Sequence, residues 1–206
     1  MQEALVTMLR MQDRMNTRVH PQWREQEYAW HRAIWIESAE LVDHHGYKWW
    51  KHQKPDLGQV QMEAVDIWHF GMSSLLMKHE GDSKALAAEI ERAWRGSDGT
   101  SDVVEAAELV AGIAAKDHRF DVPAFAALCA AAELSFDELY KQYLGKNVLN
   151  FFRQDNGYKD GSYRKEWAGR EDNEHLMELL SDVDPSAADA EESLYTALEA
   201  RYAATG

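Results

Sequence analysis

Two acidic pairs, Glu37-Ser-Ala-Glu40 and Glu63-Ala-Val-Asp66, have the residue types and spacing best suited to chemistry. Each pair is spaced i,i+3, which on a helix puts both carboxylates on one face. Glu37 and Glu63 are 26 residues apart, with Gly46, Pro55 and Gly58 between them. That layout predicts two helices joined by a loop and folded back on each other, with four carboxylates converging between them. Four clustered negative charges are costly to bury without cations, and hard divalent metals take oxygen ligands of this kind. The competing reading is a solvated helix face. Two features weigh against it. The flanks are apolar, with Trp35-Ile36 before Glu37 and Val65 and Ile67-Trp68 around Asp66. The i+4 positions, Leu41, Ile67 and Phe70, offer Glu37, Glu63 and Asp66 no basic partner.

A second set is basic and amide-rich: Lys146, Asn147, Asn150, Arg153, Tyr158, Lys165 and Asn173. Lys146, Asn150 and Arg153 recur at i, i+4, i+7 and so share one helical face. Lysine and arginine donors suit phosphate oxygens, and arginine binds them bidentately. Taken alone, this set is better explained as a solubilising basic face. Together with an acidic metal cluster it has the composition of phosphoryl-transfer sites, where metals bridge phosphates and basic side chains hold the outer oxygens. Gln12 and Asn16, at i,i+4, are either amides that read the edge of a base or ordinary polar positions on an exposed helix face. Lys48-Trp49-Trp50-Lys51 is either a stacking wall flanked by cations or a core anchor.

The elements that must position these residues are helical throughout. Apolar spacing predicts a helix over 2–17, ended by His20-Pro21, then helices over 22–43 and 59–79 around a loop built on Gly46 and 52–58. Gly81 marks a break before a helix over 83–95, and 96–100 form a turn cluster. Ser101 or Asp102 caps a helix running to 117, and Pro123 sits near the start of an alanine-rich run over 124–133. Ser135 and Glu138 have capping-box spacing and open a helix to about residue 152. Residues 155–172 carry glycines, basic residues and tyrosines without a helical period, which reads as an ordered functional loop. Residues 186–202 read as a peripheral helix. With no strand-rich block and no fixed-period repeat, the expected class is all-α.

Composition narrows the function. The chain has 206 residues, enough for a core that needs no disulfide support. Its net charge of −14 argues against a duplex nucleic-acid binder, which needs a basic surface, but leaves room for a small anionic substrate. A single cysteine, Cys129, permits no intrachain disulfide and fits a reducing cytoplasm. No apolar run is long enough to span a bilayer, and the N-terminus lacks a signal-like stretch, so no membrane partner is expected. Eight tryptophans are many for this length, and most are expected in core or interface positions.

Glu37-x-x-Glu40, Lys48-Trp49-Trp50-Lys51 and Glu63-x-x-Asp66-Ile67-x-His69-Phe70 together resemble the dimeric, all-α dUTPases. That family lies within the all-α nucleoside triphosphate pyrophosphohydrolases that include MazG. The stretches Asn150-Phe151-Phe152-Arg153-Gln154-Asp155-Asn156-Gly157-Tyr158-Lys159 and Gly161-x-Tyr163-x-Lys165-x-Trp167-x-Gly169-x-Glu171-Asp172-Asn173 extend the resemblance. The acidic half alone indicates only the wider group; both halves point to the dUTPase branch. The motifs run from Gln12 to Asn173, while 81–133 and the tail at about 176–206 match only in helical character.

The resemblance implies a single all-α domain over 1–206, a helical bundle with its active site between facing helices. It also implies hydrolysis of dUTP to dUMP and pyrophosphate, with dUDP as a further substrate, and with magnesium: two or more ions per site, with manganese as a substitute. Glu37, Glu40, Glu63 and Asp66 inherit the metal-holding role, and Glu40, with Glu37 as second choice, the orientation of the attacking water. Lys146, Arg153, Tyr158, Lys165 and Asn173 match phosphate- or sugar-contacting positions, and Asn150 a substrate-contacting amide. Gln12, Asn16 and one of Trp49 or Trp50 resemble the base-side residues, and Lys51 is a further substrate contact. A homodimer is implied as well. Three rival readings stand beside this one. The first is a related pyrophosphohydrolase preferring dCTP or a modified deoxynucleotide. The second is a di-iron carboxylate bundle, whose Glu-x-x-His motifs the chain lacks. The third is an acidic helical interaction module, which leaves the basic stretch unexplained.

Overall fold

A computed structural model describes residues 1–79, 82–97, 99–185, 187 and 189–205. Gly81, Asp98 and Ser186, read above as a break, part of a turn and the start of the tail, lie outside the described residues. The chain forms two compact units, Met1–Leu139 and Tyr140–Gly206.

The first unit begins with α1 (Gln2–Val19), which buries Leu5, Met8, Leu9, Met11 and Met15 on one face. It ends at His20, whose extended backbone (φ −150°, ψ 117°) is the conformation a following proline favours. The helix predicted over 22–43 is split. Trp23–Glu25 form a 3-10 turn, Glu27 takes a left-handed φ of 50°, and α2 runs only over Trp30–His45. Tertiary packing overrides the local pattern here. Trp23 is buried, meets the Trp30 ring edge-on at 6.1 Å and donates Nε1–H to Asp13 at 3.2 Å, which a straight helix would not provide.

Gly46 ends α2 in a left-handed conformation (φ 89°), and a Cβ there would meet the Gln53 side chain at 2.9 Å. Asp56 caps α3 (Leu57–Lys78) by accepting from Gln59 N–H at 3.2 Å. Nearly every side of α3 is covered, from Val60 and Ala64 through Ile67 and Trp68 to Met72 and Leu76, so it is the central helix of the unit. Trp68 stacks on Phe125 at 5.1 Å, and Gly71 admits the Phe120 ring so closely that a Cβ would lie 2.6 Å from it.

α4 (Ser83–Arg95) packs on α1, α5 (Val103–Asp117) on α2, and α6 (Val122–Ala131) on α5 and α4. Asp82, Asp102 and Asp121 each cap one of these helices with a carboxylate, and Pro123 sits in the first turn of α6. Of the two expected caps of α5, Asp102 is the one that accepts from the helix, bonding Val104 N–H and Glu105 N–H.

α7 (Phe136–Asp155) opens with Ser135 Oγ accepting from Glu138 N–H at 3.2 Å. In the second unit, residues 155–172 are ordered by an aromatic core. Phe152 is ringed edge-on by Tyr163, Trp167, Tyr195 and Tyr202 at 5.3–6.2 Å. A two-residue ribbon, β1 (Glu166–Trp167) with antiparallel β2 (Arg170–Glu171), turns through Ala168-Gly169. α8 (Asp172–Ser181) follows at once, then α9 (Ala190–Ala204), which packs on α8. Apart from that ribbon the described residues are helical or loop, so the fold is all-α. Among them no helix is long and apolar enough to cross a membrane.

Candidate active site

In the first unit, α2 lies along α3 and brings three carboxylates together. Oxygens of Glu37, Glu63 and Asp66 lie within 4.8 Å of one another. Glu63 is buried, and His44 Nε2 sits 3.6 Å from its Oε1. The arrangement is electrostatically strained. Burial first, then the charges of Asp66, Glu63 and Glu40, push the Glu37 carboxyl up to about 8. At neutral pH Glu37 therefore holds a proton that a cation would displace. The set consists of hard oxygen donors without histidine or cysteine, and so could hold a hard divalent cation. Glu40 stands apart. It is exposed and outside the close group, although its charge still acts on Glu37.

The amides expected on the base side are neither exposed nor loosely placed. Gln12 and Asn16 are buried and joined to α3. Gln12 Nε2 donates to Asn16 Oδ1 at 3.0 Å and to Ser73 Oγ at 3.1 Å, and Asn16 Nδ2 donates to Ser73 Oγ at 3.0 Å. Gln12 Oε1 lies 2.8 Å from His69 Nδ1. The sequence reading did not assign His69 or Ser73 to this network. The available signal was a second polar i,i+4 pair on an otherwise apolar helix.

Trp49 and Trp50 are not core anchors: they are 90% and 60% exposed. They meet each other edge-on at 5.4 Å in the loop between α2 and α3, where residues 46–53 line an open cavity of about 480 Å³. Lys51 is exposed in the same loop, and Gln53 Oε1 pins its backbone by accepting from Lys48 N–H at 2.9 Å.

In the second unit, Lys146, Asn150, Arg153 and Asn173 form one hydrogen-bonded group. Lys146 Nζ donates to Asn173 Oδ1 at 3.3 Å, and Arg153 Nη1 donates to Asn150 Oδ1 at 3.2 Å. Arg153 also lies over the Tyr158 ring at 5.9 Å, and Tyr158 is half exposed. Lys165 is outside this group, exposed on the loop and 3.4 Å from Glu171.

The dUTPase family profile matches residues 4–158. The chain belongs to the dUTPase family. It is accordingly a hydrolase acting on dUTP, a dUTP diphosphatase with the all-α fold of that family. The matched stretch includes Gln12 and Asn16, both acidic pairs, the Trp49-Trp50 loop, the basic face of α7 and the following residues to Tyr158. It also includes 81–133, where the sequence motifs gave only helical character. It stops before Lys165 and Asn173. No curated protein matches the chain.

Proposed function

We propose that the chain hydrolyses dUTP to dUMP and pyrophosphate in a magnesium-dependent reaction, and accepts dUDP as well. The close group of Glu37, Glu63 and Asp66 carries this reading: three carboxylates within 4.8 Å, one of them held protonated by burial and then by its neighbours, form a site that a cation relieves. A bound divalent cation, two or more per site and replaceable by manganese, supplies charge neutralisation for the phosphate chain and acidity for water. Glu40 is the proposed acceptor of the water proton, and its exposure outside the close group supports a role other than full-time ligation. Glu37 is the second choice, as the i,i+3 mate of Glu40 on the same helix.

Lys146, Asn150, Arg153, Tyr158, Lys165 and Asn173 are proposed to hold phosphate and sugar. Gln12, Asn16 and one of Trp49 or Trp50 are proposed on the base side, with Lys51 as a further substrate contact. Burial of the two amides suggests that they act from within a fixed network, with His69 and Ser73 setting their orientation. The working form is proposed to be a cytoplasmic homodimer in which all 206 residues act as one enzyme domain. Turnover across a panel of deoxynucleoside triphosphates tests the substrate. A clear preference for dUTP supports the reading, and preferred turnover of dCTP or a modified nucleotide replaces it with the related pyrophosphohydrolase.

A further inference from the structure

Asp172 opens α8 with a side chain that has no solvent exposure. Its two oxygens accept from Arg153 Nε and Nη2, both at 2.8 Å, and Oδ2 also accepts from the Tyr163 hydroxyl at 2.8 Å. Burial alone would raise the Asp172 carboxyl, but the Arg153 guanidinium and then the Tyr163 hydroxyl hold it below the ordinary carboxylate range. Burial, followed by the bond to Asp172, pushes the Tyr163 phenol up, so it stays a neutral donor. The Arg153 fork is thus gripped along its Nε–Nη2 edge. Nη1 also bonds Asn150 Oδ1 at 3.2 Å and Nη2 also bonds Asn173 Oδ1 at 3.4 Å, two members of the proposed substrate-contacting set.

A free arginine carries a large rotamer entropy, which a bidentate grip removes before any ligand arrives. A buried ion pair by itself contributes little net stability compared with apolar packing. We infer that Asp172, supported by Tyr163, is a positioning residue that presets the Arg153 guanidinium for a phosphate oxygen of the nucleotide. This rests on the proposed reading of Arg153 as a phosphate contact. The hairpin and α8 then deliver Asp172 to α7 rather than serving only to end the loop.

The test is a double-mutant cycle on the full chain with dUTP and magnesium, using Asp172→Asn, Arg153→Lys and both together. Asp172→Asn is expected to lower kcat/KM by about tenfold to a hundredfold, as for other partners that orient a binding group. The double variant is expected to match Arg153→Lys within about twofold, because the two residues act as a unit. Tyr163→Phe keeps the ring and removes one hydrogen bond, so a loss of about two- to tenfold is expected with an unchanged aromatic core. If Asp172→Asn does not fold, the same cycle with Tyr163→Phe decides. Losses that multiply in the double variant overturn the inference. So does an Asp172→Asn protein that melts lower yet keeps wild-type kcat/KM, or one that gains turnover. Wild-type turnover in Arg153→Lys instead sinks the phosphate-contact reading of Arg153, a result distinguishable from failure of the positioning role alone.

Discussion

Replacing Glu37 with glutamine should stabilise the metal-free protein, and by more as the pH rises. The Glu37 carboxyl goes from an ordinary 4.5 to about 8 in the folded state, through burial first and then the neighbouring carboxylates. In the unfolded chain it ionises above about pH 4.5, whereas in the folded chain it keeps its proton until about 8. Below the lower value both states are protonated and the group contributes nothing. Between the two values the folded state binds more protons, so stability falls as pH rises, and above the upper value the loss is complete. The full shift corresponds to about 5 kcal/mol, and partial solvent access and charge sharing among the carboxylates reduce it to about 2 kcal/mol. For a chain of this size that is about 4–8 °C in Tm. Thermal unfolding of wild type and Glu37→Gln in EDTA, at about pH 4.5 and about pH 8.5, reads the gap between them. The variant's advantage should widen by about that amount at the higher pH, and magnesium at pH 8.5 should narrow it by rescuing the wild type. A gap that stays constant with pH, or that magnesium leaves unchanged, would refute the idea of a strained carboxylate site awaiting a cation.

Glu63→Ala removes the buried member of the close group and should cut dUTP turnover by a hundredfold or more, through loss of several kcal/mol of metal-assisted charge stabilisation; a magnesium titration of steady-state rates checks it, and normal rates at ordinary magnesium would count against the site. Glu40→Gln should lower kcat by about 10²- to 10⁴-fold while magnesium affinity, measured by calorimetry, changes little, because Glu40 stands outside the close group. Asn16→Leu strands partners in the Gln12–Ser73 network and should cost about 1–3 kcal/mol in urea unfolding. An unchanged midpoint would show that the network is not a buried one.

The parts of the fold that were legible share a cause: each is specified by residues close together in the chain. α1 and α3 follow from apolar spacing, α5 from Asp102 as a cap, α6 from Pro123 near its start, and α7 from Ser135. The predicted helix over 22–43 failed because Trp23 gains more from burial and from its bond to Asp13 than from helical continuity, a contact no local pattern encodes. α8 was not predicted, although its signal was present: Glu171 and Glu174 form a reciprocal capping box ahead of Leu176 and Leu180. The basic, period-free sequence before it masked that signal.

The site divided in the same way. Spacing correctly paired Glu37 with Glu63 and Asp66, since two i,i+3 pairs on facing helices have few ways to meet. Spacing could not show that Glu40 would face solvent, because a helix position three residues away is still rotated by 60° from its pair mate. Nor could it show that Gln12 and Asn16 would be buried against His69 and Ser73, which depends on how α1 docks on α3.

The most direct test of the central claim is steady-state hydrolysis of dUTP by the full chain with magnesium and then with excess EDTA, identifying both products. The account predicts dUMP and pyrophosphate with magnesium and a rate near background without it. Undiminished hydrolysis in EDTA, or release of orthophosphate in place of pyrophosphate, would contradict it.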